Sequence, residues 1–158
     1  MNVFDSKFVF LHAGIINPVI MKKVLILCIV SILGAFASNA ADKKAVDVSK
    51  IPPAVDKKGV TYAADIKPLF EKSCIKCHGT EKQKGKLRLD TLEATLKGGE
   101  DGKVVQPGKS AESMLVHNIA HVGDEDLYMP PPDNKDKIPP MTKEEIGLIR
   151  AWIDQGAK

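Results

Sequence analysis

Apolar positions recur at helical spacing in four stretches of this chain, and the stretches between them carry no period. Ile66, Leu69, Phe70 and Cys74 fall at i, i+3, i+4 and i+8, which predicts a helix from about Ala64 to Cys74 with one apolar face. Pro68 has no N–H to donate and is tolerated only in a first turn, so Asp65 is the expected N-cap. Thr91 to Leu96 is a short helix candidate closed by Gly98-Gly99. Ser110 is the expected N-cap of a helix through about Ala120, with Glu112 in its first turn and Met114, Leu115, Asn118 and Ile119 facing inward. The best-defined helix is the last. Thr142-Lys143-Glu144-Glu145 matches a capping box, Ile146, Ile149 and Ile153 form a stripe beside Leu148 and Trp152, and Gly156 is the natural stop. The rest reads as loops. Gln83 to Asp90 holds a short extended piece at Leu87-Arg88-Leu89, Pro107-Gly108 marks a turn, and Val122 to Pro140 is a long loop with five prolines. Short helices joined by loops predict an all-α domain.

The first 59 residues have a different character. Met21-Lys22-Lys23 is a short positive region, Val24 to Phe36 an apolar run of 13 residues, and Ser38-Asn39-Ala40 a small-residue cleavage site. Together they read as a secretory signal within residues 1–40, cleaved after Ala40. The apolar run is short for a membrane span, and an uncleaved anchor is the lesser reading. Met21 is an alternative start, and Cys28 leaves with the signal. Residues 41–59 are rich in Lys, Asp, Val and Pro without apolar period, which predicts a flexible linker. The folded domain is then expected over residues 60–158. The full chain has 23 basic and 20 acidic residues, and losing Lys7, Lys22, Lys23 and Asp5 with the signal brings the net charge from +3 to about +1. That is not a nucleic-acid binder's balance. The charge is uneven, basic from Lys67 to Lys109 and acidic from Glu112 to Glu145, a pattern that can steer encounters with a charged partner. With one tryptophan and two tyrosines, the core is poor in aromatics.

Cys74-Ile75-Lys76-Cys77-His78 changes this picture most. C-x-x-C-H is the attachment signature of a c-type haem: two thiols can add to the two vinyl groups of one porphyrin, and the adjacent histidine can donate to the iron. Two other readings exist. A structural zinc site needs four ligands, and no second C-x-x-C is present, although His117 and His121 could complete a Cys2His2 set. A thioredoxin-type motif should open a helix after a buried strand, and Tyr62-Ala63-Ala64-Asp65 is not one. Export supports the haem reading.

An iron held by His78 has a sixth position. The candidates are Met129, Met141, Met114, His117 and His121. Met129 is followed by Pro130-Pro131-Pro132, which stiffens the segment that must present a weak thioether ligand. Met141 instead precedes the capping box and could staple against Ile146, and Met114 lies on a helix face.

The stretches Lys82 to Asp90, Leu96-Lys97-Gly98-Gly99, Pro107-Gly108, Met129-Pro130-Pro131 and Trp152 to Ala157 together resemble the planctomycete-type cytochrome c domain, over about residues 60–158. The resemblance implies a small class-I-like helical fold wrapped around one covalently attached haem c. In it Cys74 and Cys77 form the thioethers, His78 is the proximal ligand and Met129 the distal one. The sequence departs from that family at Lys86, where a second glycine is common. Arg88 is a candidate contact for a haem propionate. The expected function is a periplasmic or otherwise exported monohaem electron carrier. It would not be an enzyme. It would work between a dehydrogenase or respiratory complex and an oxidase or reductase, with no membrane span once the signal is removed. The alternative is a haem-based sensor or small-ligand binder with an open sixth site.

Overall fold

The computed structural model describes residues 46–158. The signal, Cys28, the alternative start at Met21 and the first residues of the linker lie outside the described residues. Five α-helices follow one another: α1 (Lys67–Ser73), α2 (Ile75–His78), α3 (Leu92–Lys97), α4 (Met114–Ile119) and α5 (Lys143–Asp154). Single 3-10 turns and loops join them, no strand occurs among the described residues, and the all-α expectation holds.

The first helix begins earlier than expected. Thr61, not Asp65, is the N-cap of a π-helical turn over Tyr62–Ile66 that runs into α1. Thr61 Oγ1 accepts from the Ala64 N–H at 3.3 Å, and Asp65 Oδ2 accepts from the Thr61 N–H at 2.8 Å, so each satisfies a donor of the other's turn. Pro68 then falls at the start of α1, where its missing N–H costs nothing. At Ser110 the expectation fails differently. Residues Ser110–Glu112 form only a 3-10 turn, and α4 starts after Ser113. Ser110 does not cap because Asp154 takes its backbone N–H and its hydroxyl at 2.9 Å each, and Arg150 donates to the same hydroxyl at 3.0 Å. A long-range network has displaced a local cap. The α3 and α5 expectations hold to within a residue, with Thr91 and Thr142 as N-caps and both halves of the Thr142/Glu145 capping box formed.

The core sits where the π-helical turn meets α5. Tyr62 packs edge-on to Phe70 with ring centroids 6.2 Å apart and tilts onto Trp152 at 5.9 Å. Ile66, Phe70, Ile149, Trp152 and Ile153 are all completely buried. The Lys158 carbonyl accepts from both the Tyr62 N–H and Trp152 Nε1, at 3.0 Å each, and ties the last residue to the start of the first helix. Lys72 reaches Glu145 at 2.8 Å and links α1 to the first turn of α5.

Residues 46–59 do not behave as the flexible linker the composition suggested. Ile51 is buried, the Val55 N–H donates to the Gly147 carbonyl at 3.1 Å, Arg150 donates to the Pro52 carbonyl, and Gln155 Nε2 donates to the Lys57 carbonyl at 2.7 Å. The segment is a strap laid on α5. Gly147 makes room for it: a Cβ there would stand 2.7 Å from the Pro53 carbonyl oxygen and 3.0 Å from Val55 Cγ1. This explains a glycine in the middle of the longest helix, where it otherwise costs about 1 kcal/mol relative to alanine.

Two outcomes follow from these contacts. Gly147→Val should lower the urea midpoint by an amount equivalent to about 1–3 kcal/mol and expose residues 46–59 to limited proteolysis; protection equal to that of the parent would contradict the docked strap. Glu145 is held below the usual carboxylate range by Lys72 and then by the Thr142 N–H. A carboxylate with a depressed folded pKa contributes stability above its unfolded pKa, and loses it as pH falls through the folded value. Acid denaturation of Glu145→Gln should therefore show a shallower pH dependence below about pH 4.5 than the parent.

A cleft lined by the cysteine motif and the methionine loop

The aromatic core places the C-x-x-C-H segment. The Cys74 N–H donates to the Phe70 carbonyl at 2.7 Å, so the motif hangs from the last turn of a helix whose Phe70 is fully buried. Cys77 and His78 both donate their backbone N–H groups to the Cys74 carbonyl, at 3.0 and 2.9 Å, which closes the turn that brings the two thiols and the imidazole together. Gly79 follows in extended conformation, and a Cβ on it would lie 2.6 Å from the Ile75 carbonyl oxygen. The chain then folds back. The Leu89 N–H donates to the His78 carbonyl at 2.7 Å, and the Tyr62 hydroxyl donates to the Leu89 carbonyl at 2.8 Å.

Cys74, Cys77, His78 and Met129 all line one cleft of about 590 Å³. Its other walls are mostly apolar, with Leu87, Leu89, Val104, Leu115, Ile119 and Ile138 among them. Met129 arrives on the proline-rich loop and is fixed by its own N–H, which donates to the Asn118 carbonyl at the end of α4 at 3.0 Å. Asn134 holds that loop's turn. Its Nδ2 donates to the Pro131 and Ile138 carbonyls at 2.8 and 3.0 Å, and its Oδ1 accepts from the Ile138 N–H at 2.7 Å. Lys76, inside the motif, pairs with Asp136 of the loop at 2.6 Å. Neither Lys76 nor Asn134 was singled out from the sequence. Asparagine just after a run of prolines is a turn signal that could have marked the second.

The remaining candidates for a sixth ligand are dispersed. His117 Nε2 lies 2.7 Å from the Ala111 carbonyl, His121 stacks on Tyr128 with rings 4.7 Å apart, and neither lines the cleft. Met114 is outside the lining as well. Met141 is buried in the core cluster and also reaches the cleft wall. Arg88 does not. Its guanidinium forms a fork with the Asp90 carboxylate at 2.9 and 2.6 Å, away from the cleft lining. The cations that border the cleft are Lys82, Lys84 and Lys135.

Protonation states narrow the chemistry. Burial, and then the neighbouring Cys77, push the Cys74 thiol up to about 12. A thioredoxin-type nucleophile needs the opposite shift. The His78 imidazole is held below its ordinary value by burial. The backbone at Leu87 and Lys84 acts the other way, more weakly, without a well-formed hydrogen bond to the ring. Its buried Nδ1 has no hydrogen-bond partner among the described residues. A neutral imidazole with an uncommitted nitrogen, two thiols and a thioether on one apolar cleft form a donor set that fits a porphyrin iron. Among the described residues no group of three or more His, Cys, Asp or Glu side chains is placed to hold a metal ion by itself.

Residues 74–133 match the family model described as Planctomycete cytochrome C, a span that starts on the first motif cysteine and ends past Met129-Pro130-Pro131. No curated protein and no solved structure matches the chain.

The φ of Lys86 is 54°, in the left-handed region next to Gly85 at 61°. A side chain there costs about 1 kcal/mol relative to glycine. Lys86→Gly should raise the urea midpoint by a comparable amount; an unchanged or lowered midpoint would contradict the strain.

Proposed function

We propose that the protein, whose residues 74–133 match the model of the planctomycete cytochrome c family, is an exported monohaem c-type cytochrome that carries electrons between redox partner proteins. The observation behind this reading is that the three motif donors and Met129 share one apolar cleft although they come from separate parts of the chain. Cys74 and Cys77 would hold the porphyrin through thioethers, His78 would be the proximal ligand and Met129 the distal one. The haem supplies a one-electron Fe(III)/Fe(II) couple. The chain's own side chains do the rest. Leu87, Leu115 and Ile119 exclude water, which raises the cost of ferric charge, and thioether ligation favours the reduced form relative to a second imidazole. With Arg88 occupied by Asp90, the propionate contacts fall to Lys82, Lys84 and Lys135, which border the cleft.

The partners are proteins with charged docking faces, drawn by the basic stretch before Lys109 and the acidic one after it. Export rests on the signal-like residues 21–40. No helix among the described residues is long and apolar enough to cross a membrane.

The optical spectrum in both redox states, with a pyridine haemochrome assay, tests the cofactor and its attachment. Met129→Ala should abolish the sulfur-to-iron charge-transfer band of the oxidised protein and let carbon monoxide bind the reduced protein rapidly. A parent protein that already binds carbon monoxide fully and rapidly would favour a sensor or ligand-binding module with an open sixth site.

A further inference from the structure

Two costs meet at His121. Its φ is 53°, in the left-handed region, which histidine enters more readily than most side chains but still at a cost. Its Nε2 is buried and has no hydrogen-bond partner among the described residues, and a buried polar atom without a partner also costs free energy. What offsets them is a ring contact. The imidazole lies flat on the Tyr128 ring, with centroids 4.7 Å apart and planes 4° from parallel. Strain that collects at a single residue points to a role for the conformation it holds.

The place of His121 in the chain shows what the stack holds. His121 belongs to the turn that closes α4: its N–H donates to the Asn118 carbonyl at 3.3 Å, and the Val122 N–H donates to the His117 carbonyl at 3.0 Å. Residues 122–127 then leave the helix and return. Tyr128 ends this excursion, its N–H donating to the Glu125 carbonyl at 3.2 Å, and Met129 follows with its own N–H on the Asn118 carbonyl. The mouth of the loop is thus clasped at both levels, residue 121 on 128 through rings and residue 118 on 129 through the backbone. A single hydrogen bond fixes one distance and leaves rotation about it free; the ring contact removes that freedom. His121 itself stays outside the cleft.

We propose that His121 is a positioning residue for Met129: its ring, stacked on Tyr128, sets the orientation in which the next residue presents its thioether to the cleft. The inference rests on the reading of Met129 as distal ligand. A weak ligand gains most from a segment already in place, because ordering that segment on binding would consume part of the bond's free energy. Loss of the stack therefore acts on the iron through Met129, and His121 contributes no ligand atom.

The test uses the holoprotein with covalently attached haem, as parent, His121→Asn, Tyr128→Leu and Tyr128→Phe. Asparagine also tolerates the left-handed conformation, so His121→Asn removes the ring and keeps the turn. The readouts are hydrogen exchange of the Met129 amide, the sulfur-to-iron charge-transfer band, the urea midpoint, and the affinity of the oxidised protein for added imidazole, which competes with Met129. The inference expects faster exchange, a weakened band and imidazole bound about two- to tenfold more tightly in His121→Asn and in Tyr128→Leu, the scale of one aromatic stack. Tyr128→Phe keeps a ring and should match the parent; a loss equal to that of Tyr128→Leu would overturn the stack as the cause. If either ring-deleting variant does not accumulate as holoprotein, the other removes the same stack from the opposite side. A lowered urea midpoint with unchanged exchange and unchanged imidazole affinity would overturn the inference and leave the pair as packing alone. A parent protein without the charge-transfer band would overturn the Met129 reading itself, and this inference with it.

Discussion

Tyr62, Phe70 and Trp152 meet where the π-helical turn over Tyr62–Ile66 lies against α5, and the position of every donor on the cysteine-motif wall follows from that contact. Phe70 is fully buried, and its carbonyl receives the Cys74 N–H, so the motif cannot move without moving a buried ring. Tyr62 extends the same constraint to the other edge of the motif. Its hydroxyl holds the Leu89 carbonyl, and Leu89 in turn holds the His78 carbonyl through its N–H. Magnitudes show which forces dominate. Full burial of Phe70 contributes about 1.5–3 kcal/mol, and that of Trp152 at least as much. Exposed pairs such as Lys76–Asp136 contribute about 0–1 kcal/mol. The cysteine wall is set by hydrophobic burial, and the ion pairs only trim it.

The methionine wall is held by weaker means. Met129 is anchored through a single backbone hydrogen bond to Asn118, and the loop around it by the Asn134 turn and the Lys76–Asp136 pair. Segments held by a few polar contacts open locally at lower free energy than segments held by a core. The two sides of the cleft are thus unequal: one rigid side carries Cys74, Cys77 and His78, and one softer side carries Met129. On the proposed ligation, this asymmetry would make the Met129 position the one where small changes in the chain have the largest effect on the iron.

Local features of the sequence were legible where local forces decide. The Thr142/Glu145 capping box, the Thr91 cap and the C-x-x-C-H turn were each readable because their partners lie within four residues. The failures share the opposite cause. Ser110 has the chemistry of a cap, but Asp154 and Arg150, more than 35 residues away, claim it. Residues 46–59 lack a period because they dock one residue at a time onto α5, and Gly147 reveals its purpose only with the Pro53 carbonyl against it. The Arg88–Asp90 fork was legible too. Asp90 lies two residues on in an extended stretch, where alternate side chains share a face, and a fork between them was foreseeable. Met129 could be singled out because three prolines follow it, whereas the Asn118 contact that fixes it could not.

The aromatic centre of the core and the cleft are built from different residues, although Leu89, Val104, Leu115, Ile119 and Met141 belong to both the wider core and the cleft wall. A chain with one tryptophan looks short of core, and a large apolar prosthetic group seems required to complete it. Yet Trp152, Phe70, Ile149 and Ile153 are fully buried and none lines the cleft. The π-helical turn, α1 and α5 thus have a core of their own. The residues that a flat apolar ring would cover are Leu87, Ile138 and Met129, which are only partly buried and which belong to the loops rather than the helices. At about 0.8 kcal/mol per buried methylene, covering them adds stability where the chain is held least. On the proposed haem reading, attachment and ordering of the methionine loop would be coupled through the same side chains, while the wall that carries the cysteines stands on the aromatic core.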